Sequence, residues 1–395
     1  MNKDIKGKVE MLHSSRTKVC LVATGAGSGC QNLISQVVGA SSTLLECFLP
    51  YSREALADFL GFKPEKFASE ETSLQMAARA WRRGVEIATR QNEDARNVVG
   101  LGLTAVIATN HPLKGEHRVF ISARAENGFF VCRVVFEKRG DGLSLLGRIR
   151  ESELSDILAI NMILRCARIE QISIPNVGLS GGDLASVGGG SAVLLPRKIE
   201  QNIQIDPKGR GCFIEANGAQ TNLDSLDSRK NILFCGSFNP LHFGHERISK
   251  EVEMRTGKKV VYSISDRHPI KGKICQEELL ARISQFRFLA PVLIMNDAQL
   301  YLEKARAFQG FYFVIGADAL EAILNPKYYS VSIYDVLRGF GECGTHFFVA
   351  NRYVGCKRLG FRDLLKNIPE RYHGMFTELS SEIDISSTNL RSLTT

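Results

Sequence analysis

From Asn231 onward, short apolar runs recur with polar, helix-like stretches between them. The runs are ILFC (Ile232–Cys235), VVYSIS (Val260–Ser265), PVLIMN (Pro291–Asn296), FYFVIG (Phe311–Gly316) and HFFVAN (His346–Asn351). Each is long enough for a strand and too short for a core helix. Stretches such as EELLARISQFRFLA and ALEAIL lie between them and read as helices. Strands that alternate with helices imply an α/β domain around a parallel sheet.

The first of these runs ends in a glycine turn, Gly236-Ser237-Phe238-Asn239-Pro240-Leu241-His242-Phe243-Gly244-His245, and a helix is expected from about Glu246. A strand, a turn and a helix in that order put the helix N-terminus at the carboxyl edge of the sheet. Its free N–H groups and dipole favour phosphate there. His242 and His245 stand about one helical turn apart, where two imidazoles can hydrogen-bond phosphoryl oxygens as charge shifts during transfer. Gly244 between them allows close backbone approach. Near the other end of the chain, Ile385-Ser386-Ser387-Thr388-Asn389-Leu390-Arg391 sets hydroxyls at the expected start of a helix, with a guanidinium about one turn on. That pattern suits a triphosphate.

These two strings resemble the H-x-G-H and I-S-S-T-x-I-R signatures of the nucleotidyltransferase superfamily, in particular the nicotinate/nicotinamide mononucleotide adenylyltransferases. The resemblance implies that His242 and His245 contact the transition-state phosphate. It implies a nucleotide site from Gly236, Ser237, Phe238, Gly244, Ser386, Ser387, Thr388 and Arg391. Three shorter matches lie between. Gly316-Ala317-Asp318 resembles the family's G-x-D segment, His268-Pro269-Ile270-Lys271 the stretch with a Lys for substrate phosphate, and Asn351-Arg352 the late strand-end Arg. The implied substrates are ATP, with Mg²⁺, and a mononucleotide acceptor. The chain departs from the family around the acceptor base. Leu300-Tyr301-Leu302-Glu303-Lys304-Ala305 replaces a Thr-rich segment, and Pro326-Lys327-Tyr328-Tyr329 stands where a Trp is usual, so Tyr328 or Tyr329 is left to stack on a base.

The first half has a different texture. KVCLVA (Lys18–Ala23) reads as a strand, and CQNLISQVV as a helix with Leu33, Ile34, Val37 and Val38 at helical spacing. Ser69, followed by Glu70, Glu71 and Thr72, reads as the cap of a long helix whose face is Leu74, Ala77, Ala78, Trp81, Val85 and Ala88. Strands are expected over Asn97–Thr109, Arg118–Ala123 and Phe129–Phe136, and SELSDILAINMILRCARI closes the region as a helix. The glycine loop Gly25-Ala26-Gly27-Ser28-Gly29, with Glu46 some 20 residues on, imitates a dinucleotide fingerprint but lacks the G-x-G-x-x-G spacing.

The order of small-residue loop, helix, VVGASS, PYSREALADFLGF (Pro50–Phe62) and SEETSLQMAARAWRRG resembles the CinA C-terminal family, which includes nicotinamide mononucleotide deamidases. Its motifs are worn. Ala23-Thr24-Gly25-Ala26-Gly27-Ser28 stands for E-S-C-T-G-G, and Leu101-Gly102-Leu103-Thr104-Ala105-Val106 for T-G-I-A-G-P. The Y-S-x-x-A-K motif keeps Tyr51, Ser52 and Ala55 but ends in Leu56. Amide hydrolysis needs a tuned nucleophile and a cationic partner, so Thr24, Tyr51 and Ser52 mark at most a degenerate site. The expectation is a domain that has lost deamidase activity and is kept for regulation or self-association, which leaves a homo-oligomer through this half open.

At roughly 150 residues per domain, 395 residues suggest two or three domains. The expected division is a CinA C-terminal-like α/β domain over 13–169, a Gly/Ser-rich linker or irregular segment over 170–230, and a Rossmann-like nucleotidyltransferase domain over 231–395. A hydrophobic fraction of 44% and a charged fraction of 23% exclude a disordered chain, a collagen-like repeat and a coiled coil. A net charge of +8 suits phosphate ligands and is too diffuse to argue for nucleic acid. The ten cysteines form no C-x-x-C pair, so free thiols are expected and no structural metal site. With neither an apolar leader nor a membrane span, the expectation is a cytoplasmic protein without membrane attachment. Three functions remain at this point: adenylyl transfer to a pyridine mononucleotide in NAD biosynthesis, transfer to another phosphorylated cofactor precursor, and nucleotide sensing without turnover.

Overall fold

A computed structural model describes residues 2–111, 113–138, 145–175, 178–200, 203, 211–268, 272–296, 298, 300–329, 331–354 and 357–383. They form two compact units, divided between Gln201 and Asn202. Among the described residues no helix is long and apolar enough to cross a membrane.

The first unit opens with α1 (Lys3–Ser14), ahead of the residue 13 at which the sequence suggested a start. Its sheet contains β1 (Lys18–Thr24), β2 (Leu44–Phe48), β3 (Val98–Val106), β4 (Arg118–Ala125) and β5 (Gly128–Phe136). β2 and β3 run parallel to β1 on either side, and β4 and β5 continue antiparallel. Residues 170–200, expected to be irregular, carry short strands. Leu179–Gly182 and Arg197–Ile199 both pair with β5. The helices are α2 (Gly29–Ser35), α3 (Arg53–Leu60), α4 (Glu70–Arg90) and α5 (Leu145–Cys166). The alternation of β1 decides which helices cover which face. Val19, Leu21 and Ala23 share a core with α1, α2 and α5, while Cys20 and Val22 pack with Leu56 of α3 and Met76 and Ala80 of α4. The Ser69 hydroxyl caps α4 by accepting from Thr72 N–H at 3.2 Å, as the sequence suggested. α2 is shorter than its apolar pattern. It ends at Ser35, and Val38 is 96% exposed, because the chain turns at Gly39 (φ 103°) into a 3-10 turn over Ala40–Ser42 that leads to β2.

The glycine-rich loop after β1 serves packing. A Cβ on Gly25 would meet the Ala105 carbonyl of β3, and one on Gly27 would lie 2.6 Å from Leu103 Cδ1. The α2 N-terminus that follows is occupied by the chain itself: the Asp156 carboxylate of α5 accepts from Cys30 N–H at 3.2 Å and from Gly29 N–H. Burial outweighs those two bonds and pushes the Asp156 carboxyl up to about 6. Folding therefore favours its protonated form. The resulting stabilisation is complete below the unfolded value of about 4 and is lost as pH rises through about 6. At about 1.4 kcal/mol per unit, this amounts to about 3 kcal/mol. Denaturant unfolding of wild type and Asp156→Asn between pH ~4 and ~7 should give a difference that slopes over that window. A flat difference would show that Asp156 does not titrate there.

The second unit contains β6 (Gly211–Ile214), β7 (Asn231–Cys235), β8 (Lys259–Ser265), β9 (Val292–Met295), β10 (Tyr312–Gly316), β11 (His346–Val354) and β12 (Phe376–Ile383). Their order is β6-β9-β8-β7-β10-β11, with β12 also on β11. All pairings from β9 to β12 are parallel; β6 lies antiparallel on β9, and Gln220–Thr221 pairs antiparallel outside it at the edge. Its helices include α6 (Phe243–Thr256), α7 (Gln276–Ser284), α8 (Tyr301–Ala307) and α9 (Ala317–Leu324). Odd-numbered residues of the central strands (Leu233, Phe313, Phe347) face α8 and α9. Even-numbered ones (Phe234, Tyr262, Val314) face α6 and α7. The sheet is buried on both faces, as near-continuous apolar runs require. The chain builds outward from β7 through β8 and β9, then returns to place β10 on the other side of β7. The strand order thus reverses between β7 and β10, and ligands of open α/β sheets lie at the carboxyl side of such a point.

Candidate active site

Two loops leave adjacent strands at that reversal. The loop after β7 carries the glycine turn and the two histidines. Phe238 takes a left-handed φ of 45°. Its ring is 1% exposed and packs edge-on against Phe234, Tyr262, Phe286 and His245. The side chain of Phe238, expected among the nucleotide contacts, is instead turned into the core and anchors the loop. Gly236 makes this possible, since a Cβ there would lie 2.8 Å from the Phe238 ring. Ser237 is exposed at the turn, and Gly244 is buried in the first turn of α6.

His242 is the N-cap of α6 and His245 its third residue. The His242 backbone N–H donates to His245 Nδ1 at 3.2 Å, a bond usually made by a Glu at that position of a capping box. A backbone amide can only donate, so Nδ1 is the acceptor, and a neutral His245 ring carries its proton on Nε2. The ring centroids of His242 and His245 are 3.8 Å apart with planes inclined by 32°. The strand end, the helix N-terminus and two adjacent imidazoles converge on one locus suited to a phosphoryl group.

The loop after β10 carries Gly316 and Asp318. A Cβ on Gly316 would run into the Asp318 carboxylate, so glycine lets that carboxylate fold back over the strand end. Asp318 Oδ2 pairs with Arg352 Nη1 from β11. The structure thus joins two expected site residues that lie 34 positions apart. Tyr328 lines a cleft of about 490 Å³ together with Asp318, Glu321, Asn325, Leu364 and Asn367. Tyr329 is outside that lining, and burial pushes its phenol up to about 12. Lys271, Ser386, Ser387, Thr388 and Arg391 lie outside the described residues.

The sequence did not single out several groups that support this edge. Lys304 of α8 is 6% exposed, and its ammonium donates to Ser265 Oγ at 2.9 Å, where β8 ends. Burial lowers its pKa. Glu251, two turns along α6, accepts from Ser380 N–H at 2.7 Å and Ser381 N–H at 2.8 Å. Burial alone would raise its pKa, but the Ser381 hydroxyl, those amides and Arg255 together hold it below the ordinary carboxylate value. The two amides are available because β12 bulges. Val349 faces Glu378 and Asn351 faces Glu382, which takes Ser380 and Ser381 out of the ladder. The Glu251–Arg255 pair, four residues apart, is visible in the sequence, but nothing local points to the two amides, which are about 130 positions away.

In the first unit, Thr24 closes β1 opposite Thr104. The Tyr51 hydroxyl accepts from Arg148 Nη2 at 3.1 Å. Ser52 is committed as the N-cap of α3, accepting from Ala55 N–H at 3.1 Å. Leu56, at the position of the family's lysine, is 2% exposed in the core. Among the described residues no group of three or more His, Cys, Asp or Glu side chains is placed to hold a metal ion.

Residues 233–393 match the model of the cytidylyltransferase-like family. No curated protein matches the chain. Solved structures of CinA-type proteins are similar to its N-terminal region. The competence/damage-inducible protein CihA from Agrobacterium tumefaciens is 18% identical, over 40% of this chain and 96% of that one, with a TM-score of 0.29. A CinA superfamily protein from Escherichia coli is 14% identical, over 40% and 92%, with a TM-score of 0.28. The C-terminal part of the chain, residues 233–393, thus matches the cytidylyltransferase-like family.

Proposed function

We propose that the C-terminal unit is an adenylyltransferase with a pyridine mononucleotide as acceptor, acting in NAD biosynthesis in the cytoplasm. The observation that carries this reading is the adjacent pair His242 and His245 at the α6 N-terminus, on the carboxyl side of β7. An acceptor phosphate oxygen attacks the α-phosphorus of ATP in line. The bond to the β-phosphate oxygen breaks, and pyrophosphate leaves with that electron pair. No protein nucleophile is needed, so the protein's work is to position both phosphates and stabilise charge. His245 Nε2–H and the His242 ring donate to the transferring phosphoryl group. Ser386, Ser387, Thr388 and Arg391 hold the ATP phosphates and Lys271 the acceptor phosphate. Asp318, fixed by Arg352, receives ribose hydroxyls or an amide. ATP enters as its Mg²⁺ complex, in which the ion is ligated by phosphate oxygens and water and so asks few ligands of the protein.

The choice of acceptor is favoured by the linkage of this unit to a region resembling a family that includes nicotinamide mononucleotide deamidases. Deamidation itself is not proposed for the first unit. Its lysine position is a core leucine, and Ser52 is already a helix cap. The test is pyrophosphate release from ATP and Mg²⁺ with nicotinate mononucleotide, nicotinamide mononucleotide or no acceptor. Release with either mononucleotide is expected. ATP binding without release with either would replace this reading by a different acceptor or a sensing role.

A further inference from the structure

The turn between Gly236 and His242 is braced by α7. Gln285, the residue that ends α7, accepts from Leu241 N–H through Oε1 at 2.8 Å and donates from Nε2 to the Phe238 carbonyl at 3.1 Å. Phe238 and Leu241 are the first and fourth residues of a turn. The turn is itself a hydrogen-bonded one over Asn239 and Pro240. One carboxamide reaches both of its end groups from outside and braces them. Because Leu241 can only donate and the Phe238 carbonyl can only accept, the orientation of the amide is fixed by its partners. Two neighbours on α7 extend the brace. Arg282 Nη1 donates to the Ser237 carbonyl at 3.3 Å, and Glu278 Oε1 accepts from Asn239 Nδ2 at 3.1 Å and from Arg282 Nη2 at 2.6 Å.

We propose that Gln285 is a positioning residue for phosphoryl transfer: it braces both ends of the Phe238–Leu241 turn and thereby holds the place of His242, the next residue. This rests on the adenylyltransferase reading. Without that brace the Phe238 carbonyl and the Leu241 N–H lose their side-chain partner, and the turn is free to carry the His242 N–H, and with it the His245 ring, out of line. Misplacement on the order of 1 Å costs up to about a hundredfold in rate.

The test uses the full chain with three readouts. Gln285→Met keeps the bulk of the side chain and removes both bonds. Exchange of the Leu241 amide hydrogen should then accelerate, and kcat should fall about tenfold or more, with KM for ATP within about threefold of wild type and the melting temperature little changed. Gln285→Glu adds a readout that a filler role would not move. An ionised carboxylate opposes the Phe238 carbonyl, whereas a protonated one restores a donor and an acceptor in the places of the amide. Its kcat relative to wild type should therefore recover as pH falls. Unchanged Leu241 exchange in Gln285→Met would overturn the brace. Faster exchange with kcat within about threefold of wild type would overturn its positioning role. A wild-type protein that releases no pyrophosphate would defeat the adenylyltransferase reading instead, and the brace would then be judged on Leu241 exchange alone.

Discussion

Turnover of the His245→Ala variant is expected to fall by about 10²- to 10³-fold, the usual cost of deleting one preorganised donor to a transition-state oxygen. Two effects of the substitution must be separated. The first is loss of the Nε2–H donor. The second is loss of the acceptor for the His242 N–H, which would cost about 1 kcal/mol of stability and loosen the α6 N-terminus. The Phe238 ring loses its edge contact with His245 but keeps Phe234, Tyr262 and Phe286, and the apolar face of α6, Ile248 and Val252, is untouched. The melting temperature should therefore drop by only a few degrees. ATP affinity, measured by titration calorimetry, should change far less than kcat, because a donor aimed at the transferring phosphoryl acts mainly in the transition state. Near-normal turnover with the fold intact would remove the histidine pair from the mechanism.

The second large effect is structural and falls in the other unit. Gly100→Ala should destabilise the first unit by about 3 kcal/mol or more, at the upper end of what overpacking costs. A Cβ on Gly100 of β3 would lie 2.1 Å from the backbone nitrogen of Trp81 in α4 and 2.5 Å from the Ala77 carbonyl oxygen. These are backbone atoms of a long helix, so no rotamer change relieves the clash. Gly102 meets α4 the same way, 2.5 Å from Ala77 N. Thermal unfolding of the variant, followed by tryptophan fluorescence at Trp81, would check this. A transition within a degree or two of wild type would mean that helix and strand have slack between them.

How much of this was legible beforehand differs between the units for a physical reason. In the second unit the strands are buried on both faces, so each is a near-continuous apolar run that marks itself. The turn after β7 is local, and its residues announce their neighbours. Phe238 was harder to read. Its place in the string suggested a ligand contact, but a left-handed backbone turns the ring inward, and no spacing rule reports that. The roles of Glu251 and Gln285 were invisible because each serves backbone amides or carbonyls far along the chain, and backbone groups carry no residue identity. In the first unit the cap at Ser69 and the helix after it were plain. The end of α2 was not, since Val37 and Val38 prolong an apolar pattern that the turn at Gly39 interrupts. The strands between 174 and 199 were missed because Gly- and Ser-rich segments have almost no pattern to read.

The carboxylate at the start of α2 has one further implication. A helix N-terminus after a glycine-rich loop ordinarily gains or loses an anion from solution. In this chain the acid in that place is Asp156, covalently part of α5, so the loop carries its own partner, neutral or charged according to pH. Adding nucleotide should leave the amide resonances of Gly29 and Cys30 where they are. Exchange of one buried carboxyl proton should be the only event in solution that moves them.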